Sequence, residues 1–386
     1  MMRTIEEDRF QLATYKKMPI AAERGEGVWI YASDGDRYLD LYGGHAVAGT
    51  GHCHPHVVNA IREQTEKLIF YSNLVYSDVR AQAAEKLVSI APDALTKVFF
   101  CNSGTEANEN AMRMARMFTG REKVITFSGG FHGRTADAIS ATFLGKYREL
   151  GKPNVPGHIE AEFGNIDSVR ELADDTVAAI MLEPIQSMAG VRMANADFYR
   201  SLRALCDERG IVLIYDEVQT GVGRTGEWFF AGSEAGGGVV PDVVTLAKAL
   251  GSGVPVGACL VNEAIASKIK ENDLGTTFGG GMLAMAAVTA TLEAIENDRM
   301  LENVKRVEAY LRKRLREVEQ VVAVHGVGCL LGIEFSDKAA TVHQRLLDRK
   351  IITGTSSDPT VLRLLPPLIL KEEHVDLFVG ALDNRG

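Results

Sequence analysis

The sequence predicts an α/β fold in which a large domain, built on a mainly parallel sheet, carries a smaller α+β domain. Three observations support this. Between about residues 80 and 290, short apolar runs of strand type alternate with helix-like segments, and strands separated by helices form parallel sheets covered on both faces. Several runs, such as Ile211 to Tyr215, are apolar or aromatic throughout instead of alternating, as a strand buried on both sides requires. Beyond about residue 320 the pattern changes to short strands around one helix. At 386 residues the chain is long enough to bury a large core and a smaller one.

Taken in order, residues 1–50 begin with polar, helix-like sequence. Val28 to Tyr31 and Arg37 to Leu39 then flank Asp34-Gly35-Asp36, which predicts a hairpin. Gly51-His52-Cys53-His54-Pro55-His56 invites a metal reading, but no second ligand cluster of familiar spacing accompanies it. Pro55 as the first residue of a helix is the better reading, and no metal is assigned. A helix over Ala81 to Ile90, a strand over Lys97 to Cys101, a helix from Thr105 and a strand over Val124 to Phe127 come next. They are followed by a strand at Val177 to Glu183, a helix at Asp197 to Arg209, a strand ending at Asp216 and a strand before Lys248. Residues 285–320 read as a long helix-periodic stretch without interior Pro or Gly. The tail predicts strands at Val321 to Val324, Cys329 to Phe335 and Val361 to Leu365, with a helix near 339–349.

Composition narrows the function. A net charge of −9 without a basic block excludes nucleic acid or an anionic membrane as the main partner. No apolar run has spanning length and the N-terminus has no charged-then-apolar pattern, so a soluble, cytoplasmic protein is expected. Cys53, Cys101, Cys206, Cys259 and Cys329 lie scattered, which favours reduced thiols over a disulfide framework.

The chemistry centres on Lys248, which stands directly after a buried strand and before a glycine-rich turn. Burial disfavours the ammonium and makes the amine a better nucleophile, suited to a Schiff base with a carbonyl cofactor, pyridoxal phosphate above all. That cofactor needs a carboxylate at its ring nitrogen, an anion site for its phosphate and a cover for its ring. Asp216, at the carboxyl end of its strand, suits the first role; Val218 could pack on the ring and Gln219 bond its hydroxyl. Ser103 and Glu106 fit a capping box, and a helix N-terminus with Gly104 in it suits a phosphate. Gly221-Val222-Gly223-Arg224-Thr225-Gly226 matches the dinucleotide pattern GxGxxG, but the residues after it, Glu227 to Ser233 and three more glycines, make a poor helix, so a turn near the cofactor fits better.

Six stretches occur in one order: Asn102 to Asn108, Phe131 to Thr135, Glu183 to Gln186, Asp216 to Gly226, Ala247 to Gly251 and Thr276 to Gly280. Together they resemble the class III aminotransferases of pyridoxal phosphate fold type I, most closely the acetylornithine and ornithine branch, over nearly the whole chain. The resemblance implies a large cofactor-binding domain over 51–289 and a small domain from 1–50 and 290–386. It implies an internal Schiff base at Lys248, a pyridinium partner in Asp216, and a phosphate held by Ser103, Gly104 and Thr105. Phe131 would stack on the ring, with His132, Glu183, Val218 and Gln219 around it and Glu183 paired with Gln219. Thr276 and Thr277 would reach the phosphate of a neighbouring subunit, implying a homodimer with shared sites. Tyr71, Ser72 and Asn73 would line the partner's site, although Tyr71 also reads as a core aromatic.

Substrate recognition would fall to two arginines. Arg363 matches the residue that grips the α-carboxylate of 2-oxoglutarate or glutamate, and Arg134 the one that takes the second carboxylate. Two positions depart from the pattern. Met188 stands where related enzymes carry a glutamate that pairs with the α-carboxylate arginine, and His45 stands where ornithine enzymes carry a substrate-binding tyrosine. His45 reads equally as a substrate ligand or a structural histidine. The resemblance implies transfer of an ω-amino group from an N-acetylornithine-like donor to 2-oxoglutarate. Ornithine, succinylornithine, 4-aminobutyrate or carrier-linked lysine remain as other donors, and a glutamate-1-semialdehyde-type aminomutase as another reaction.

Overall fold

A computed structural model of the chain describes residues 7–382. Its centre is a seven-stranded sheet in the order Leu95–Cys101, Gly257–Asn262, Val243–Leu246, Val212–Asp216, Val177–Leu182, Lys123–Phe127 and His158–Ala161. The last five of these run parallel to one another, and Gly257–Asn262 runs against both of its neighbours. Two members escape the sequence reading. Gly257–Asn262 comes after a turn with no intervening helix, and His158–Ala161 is a short, polar edge strand.

Period-two alternation divides the strand residues between two cores. On one face Val212, Ile214, Ala179, Met181 and Val243 pack against Ala107, Ala111 and Met112 of the helix Gly104–Thr119. On the other, Leu213, Tyr215, Ile180, Leu182 and Val244 meet Phe198, Tyr199 and Leu202 of the helix Ala196–Arg209, with Val288 and Leu292 of the helix Met282–Asn297. Each Val, Leu, Ile, Met or Phe among these contributes about 1.5–3 kcal/mol when removed from water. The Ala196–Arg209 helix is delimited at both ends. Asn195 Oδ1 accepts from the Phe198 N–H, and Gly210 closes it with a left-handed backbone at φ 60°.

A second core joins the two ends of the chain. The Trp29–Ala32 and Arg37–Asp40 hairpin forms as expected, with Gly35 at φ 93° in its turn. Ile351–Ile352 pairs in parallel with Leu39 and Asp40. Leu39 and Leu41 thereby share an apolar cluster with Val307, Leu311, Leu362 and Phe378. A separate four-stranded sheet, Val321–Val327, Leu330–Phe335, Val361–Leu364 and Gly354–Thr355, packs on this cluster.

The stretch expected as one helix-periodic run over 285–320 is two helices, Met282–Asn297 and Met300–Leu315. Arg299 breaks it with a left-handed backbone at φ 52°. The second helix itself crosses between the cores: Met300 and Val304 belong to the larger cluster with Ile295, Val307 and Leu311 to the smaller. The Gly51–His56 histidines bond carboxylates instead of gathering: His52 to Asp40 at 2.8 Å, His54 to Asp298 at 3.0 Å and His56 to Glu293 at 2.7 Å. Pro55 does begin a helix, Pro55–Lys67. The glycines of 221–226 lie in turns, where a Cβ on Gly223 would press on Leu368 and Leu301 at 2.9 and 3.0 Å. The five cysteines are unpaired, and all but Cys53 are buried. Among the described residues no helix is long and apolar enough to cross a membrane.

Candidate active site

The carboxyl ends of the parallel strands open onto a cavity of about 390 Å³. Lys248 reaches it from a single 3₁₀ turn, Lys248–Gly251, that directly succeeds the strand Val243–Leu246 and Ala247. The lysine has a left-handed backbone, φ 44°, a conformation that costs a residue with a Cβ about 1–2 kcal/mol and that gathers at functional sites. Burial lowers its pKa, against the opposing pull of Asp216 and Glu183. Among the described residues its Nζ makes no hydrogen bond or ion pair, so the amine is free to react.

Asp216 ends the neighbouring strand and is held by three donors. Asn108 Nδ2 and His132 Nδ1 each lie 2.8 Å from its Oδ2, and the Val218 N–H donates to Oδ1 at 3.1 Å. Asn108 is itself fixed: its Nδ2 also donates to the His132 carbonyl, and its Oδ1 accepts from Thr245 Oγ1 at 2.6 Å. Asn108 ends the first of the six family-like stretches, yet on sequence it reads only as a polar residue of the helix. Glu183 and Gln219 both line the cavity but are not bonded to each other. Glu183 Oε1 accepts from the Phe131 N–H at 2.8 Å, and Gln219 Oε1 is buried without a partner. Burial, then Asp216, pushes the Glu183 carboxyl up to about 7.

Ser103, Gly104 and Thr105 form the opposite wall. Ser103 Oγ caps the helix through the Glu106 N–H at 3.2 Å, while Glu106 reaches back to the Asn102 N–H at 2.8 Å, one residue earlier than the capping box anticipates. The first N–H groups of that helix, Gly104 and Thr105 among them, have no intrahelical acceptor. A Cβ on Gly104 would sit 2.8 Å from Val218 Cγ1, so only glycine lets the helix start approach Val218 this closely. A negative group is favoured at this end of the helix.

The remaining expected residues surround the cavity instead of lining it, apart from Met188, which does line it. Arg363 is buried on the strand Val361–Leu364, with hydrogen bonds to Thr355, Ser187 and Tyr42. Tyr42 and Ser187 were not anticipated as site residues. His45 stands on a run of four left-handed residues, Gly43 to Ala46 at φ 54–67°, with its ring 4.7 Å from Tyr42. Desolvation, then the cations Arg363, Lys248 and Arg134, lowers the His45 pKa, which favours the neutral ring. Arg134 is exposed, beside the Tyr147 ring that stands edge-on to Phe131. Thr276 Oγ1 accepts from Asn102 at 2.9 Å, and Thr277 is exposed, so neither enters the cavity of a single chain.

A family model for class-III aminotransferases matches residues 11–384. The acetylornithine aminotransferase of Methanopyrus kandleri is 44% identical over 377 residues, which is 97% of this chain and 96% of that protein. The acetylornithine aminotransferase of Archaeoglobus fulgidus is 43% identical over 98% of each chain. Among solved structures, ornithine aminotransferase from Toxoplasma gondii has a TM-score of 0.91 at 26% identity, covering 98% of this chain and 92% of that one. Acetylornithine aminotransferase from Elizabethkingia anophelis has a TM-score of 0.85 at 27% identity, covering 98% and 97%.

Proposed function

Because the chain belongs to the class-III aminotransferases, we propose that it moves the ω-amino group of N-acetylornithine to 2-oxoglutarate, using pyridoxal phosphate held at Lys248. The observation that carries this is the convergence of Lys248, Asp216 and the Ser103–Thr105 helix start on one cavity. The donor rests on full-length likeness to acetylornithine aminotransferases.

The residues fit the cofactor. The Gly104 and Thr105 N–H groups suit its phosphate, Asp216 its ring nitrogen, Phe131 and Val218 its ring, and the unpartnered Gln219 Oε1 its hydroxyl. The solved Toxoplasma gondii structure is described as having partial occupancy of PLP at its active site. When bound, the group supplies an electron sink for the pair left as the substrate carbon loses its proton.

The chain does the rest. Lys248 Nζ, made less basic by burial, takes the proton from the substrate carbon that bears the amine and, in the second half-reaction, delivers one to the α-carbon of the new glutamate. Asn108, His132 and the Val218 N–H hold the Asp216 carboxylate in one orientation. Arg363 and Arg134 bind the two carboxylates of 2-oxoglutarate and so present its carbonyl to Lys248.

The chain acts as a homodimer in which Thr277 of each copy reaches the other's phosphate. An apolar patch supports this: Leu68, Ile69, Tyr71, Leu74, Tyr76 and Phe278 are all exposed. Asn73 Nδ2 donates to the Gly279 carbonyl, and Arg80 bridges the Gly280 carbonyl to that of Val75, so the 68–76 stretch is tied beside Thr277. Sedimentation equilibrium of the cofactor-loaded chain returning twice 41.9 kDa checks it, and a monomer would end it.

The test of the donor is a single-turnover spectrum. Cofactor-loaded protein without acceptor is mixed in turn with N-acetylornithine, N-succinylornithine, ornithine, lysine and 4-aminobutyrate, and loss of the visible band is monitored. Fast loss with N-acetylornithine alone supports the reading. Loss with glutamate but none of the five would reject the donor.

A further inference from the structure

Arg363 is a buried guanidinium with only neutral partners. Its Nε donates to the Thr355 carbonyl at 2.8 Å, Nη1 to Ser187 Oγ at 3.1 Å and Nη2 to Tyr42 Oη at 2.6 Å. No carboxylate of the described residues pairs with it. A cation taken out of water and given only neutral acceptors is stabilised when an anion joins it.

The tyrosine on this arginine is anchored at both ends. Asp40 Oδ1 accepts from the N–H groups of Tyr42 and Gly43 at 2.9 and 2.8 Å, and its Oδ2 is held by His52 Nε2 at 2.8 Å. The left-handed run Gly43 to Ala46 begins there and turns the chain away beneath the ring. A Cβ on Gly354 would overlap the Tyr42 ring, and one on Gly43 would meet the Leu365 carbonyl at 2.8 Å. Glycine at both places gives the phenol its position, 321 residues away in sequence from the arginine it touches.

We propose that Tyr42, with Ser187, is a positioning residue for substrate, a hydroxyl clasp that fixes the Arg363 guanidinium plane and, being uncharged, leaves that charge unneutralised for the carboxylate beside the reacting carbon. This deepens the proposed function and rests on its placement of the 2-oxo acid at Arg363. Tyr42 Oη accepts the arginine N–H, so its own proton remains to be donated to the carboxylate. Burial raises the phenol pKa despite Arg363, which keeps that proton in place at neutral pH. Neither hydroxyl carries charge, so neither competes with substrate for the guanidinium.

The test uses full-length, cofactor-loaded Tyr42→Phe and Ser187→Ala proteins. Glutarate, a dicarboxylate that cannot react, is titrated by calorimetry, and KM and kcat are measured for 2-oxoglutarate and for N-acetylornithine. For Tyr42→Phe the glutarate Kd and the 2-oxoglutarate KM rise about tenfold, with kcat within about threefold and the N-acetylornithine KM within about twofold. Ser187→Ala gives the same split with a smaller factor. A glutarate Kd within twofold of the parent in both variants overturns the proposal, as does a parallel fall in glutarate binding and N-acetylornithine turnover, which marks a general packing defect. Failure of the parent chain to bind glutarate also overturns it. If the parent leaves N-acetylornithine unconverted but the glutarate effect holds, the donor reading fails and the clasp stands.

Discussion

Glu217 offers the most direct test of how the site is held. It comes directly after Asp216, is 1% exposed, and accepts from the Phe230 N–H at 2.6 Å, the Ala231 N–H at 2.7 Å and Thr220 Oγ1 at 3.1 Å. Glu217→Ala strands two backbone donors inside the protein. Each buried, unsatisfied donor costs about 1–3 kcal/mol, so the loss is about 2–6 kcal/mol, a large part of the ~5–15 kcal/mol that holds a domain together. Glu217→Gln keeps one acceptor oxygen and loses about half as much. The carboxyl also leaves a pH signature, because burial pushes it up to about 7. A folded pKa above the unfolded one means the native state keeps its proton longer. Its contribution is therefore fully present below about pH 4.5 and is lost as pH rises through about 7, at about 1.4 kcal/mol per pH unit. Urea unfolding at pH 5, 6, 7 and 8.5 reads both effects. The Glu217 contribution declines across that window, so the parent loses more stability with rising pH, relative to its pH 5 value, than Glu217→Gln does, while Glu183, His45 and Lys248 contribute alike to both. An alanine variant losing under about 1 kcal/mol, or a glutamine variant with the parent's slope, would refute the reasoning.

Lys248→Ala lowers the transamination rate by at least about 10²–10⁴-fold, and borohydride no longer fixes cofactor mass to the chain, as intact-protein mass spectrometry reports. Arg363→Lys replaces a planar fork with a point charge and raises the KM for 2-oxoglutarate by about tenfold or more in steady-state assays, with the unfolding midpoint checked alongside. Gly104→Ala puts a methyl group 2.8 and 2.9 Å from the two γ-carbons of Val218. It costs about 1–3 kcal/mol of overpacking and weakens cofactor retention in equilibrium dialysis.

Legibility in the sequence obeys physical rules. The strands before Lys248 and Asp216 are buried on both faces, so each is a mostly apolar run with a charged residue at or just past its carboxyl end. The helix at Ser103 declares itself through its cap. Gly257–Asn262 carries an equally apolar run, but without a preceding helix it breaks the alternation on which the reading relied. Arg299 interrupts a helix without glycine or proline, so no local breaker marks the interruption in the sequence. Tyr42 leaves no local signal, because its role depends on a left-handed turn and on a partner 321 residues away.

That difference has a physical origin in how the site is assembled. The groups proposed for the cofactor stand at the ends of central strands or on the first turns beside them, each within a few residues of a long apolar run. The groups proposed around the substrate end come from the 40–47 turn, the 187–188 loop and the 354–363 segment, joined by side-chain hydrogen bonds across the fold and by one backbone bond from the Ser357 N–H to the Met188 carbonyl. A substitution at Tyr42, His45 or Met188 therefore leaves Lys248, Asp216 and the Ser103 helix start in place while altering how substrate is held. On this arrangement, exchanging residues 42–46 and 187–188 for those of another donor class changes donor preference and leaves the cofactor's absorbance and affinity unaltered. Parallel loss of cofactor affinity in such a chimera would show that the two ends are not separable.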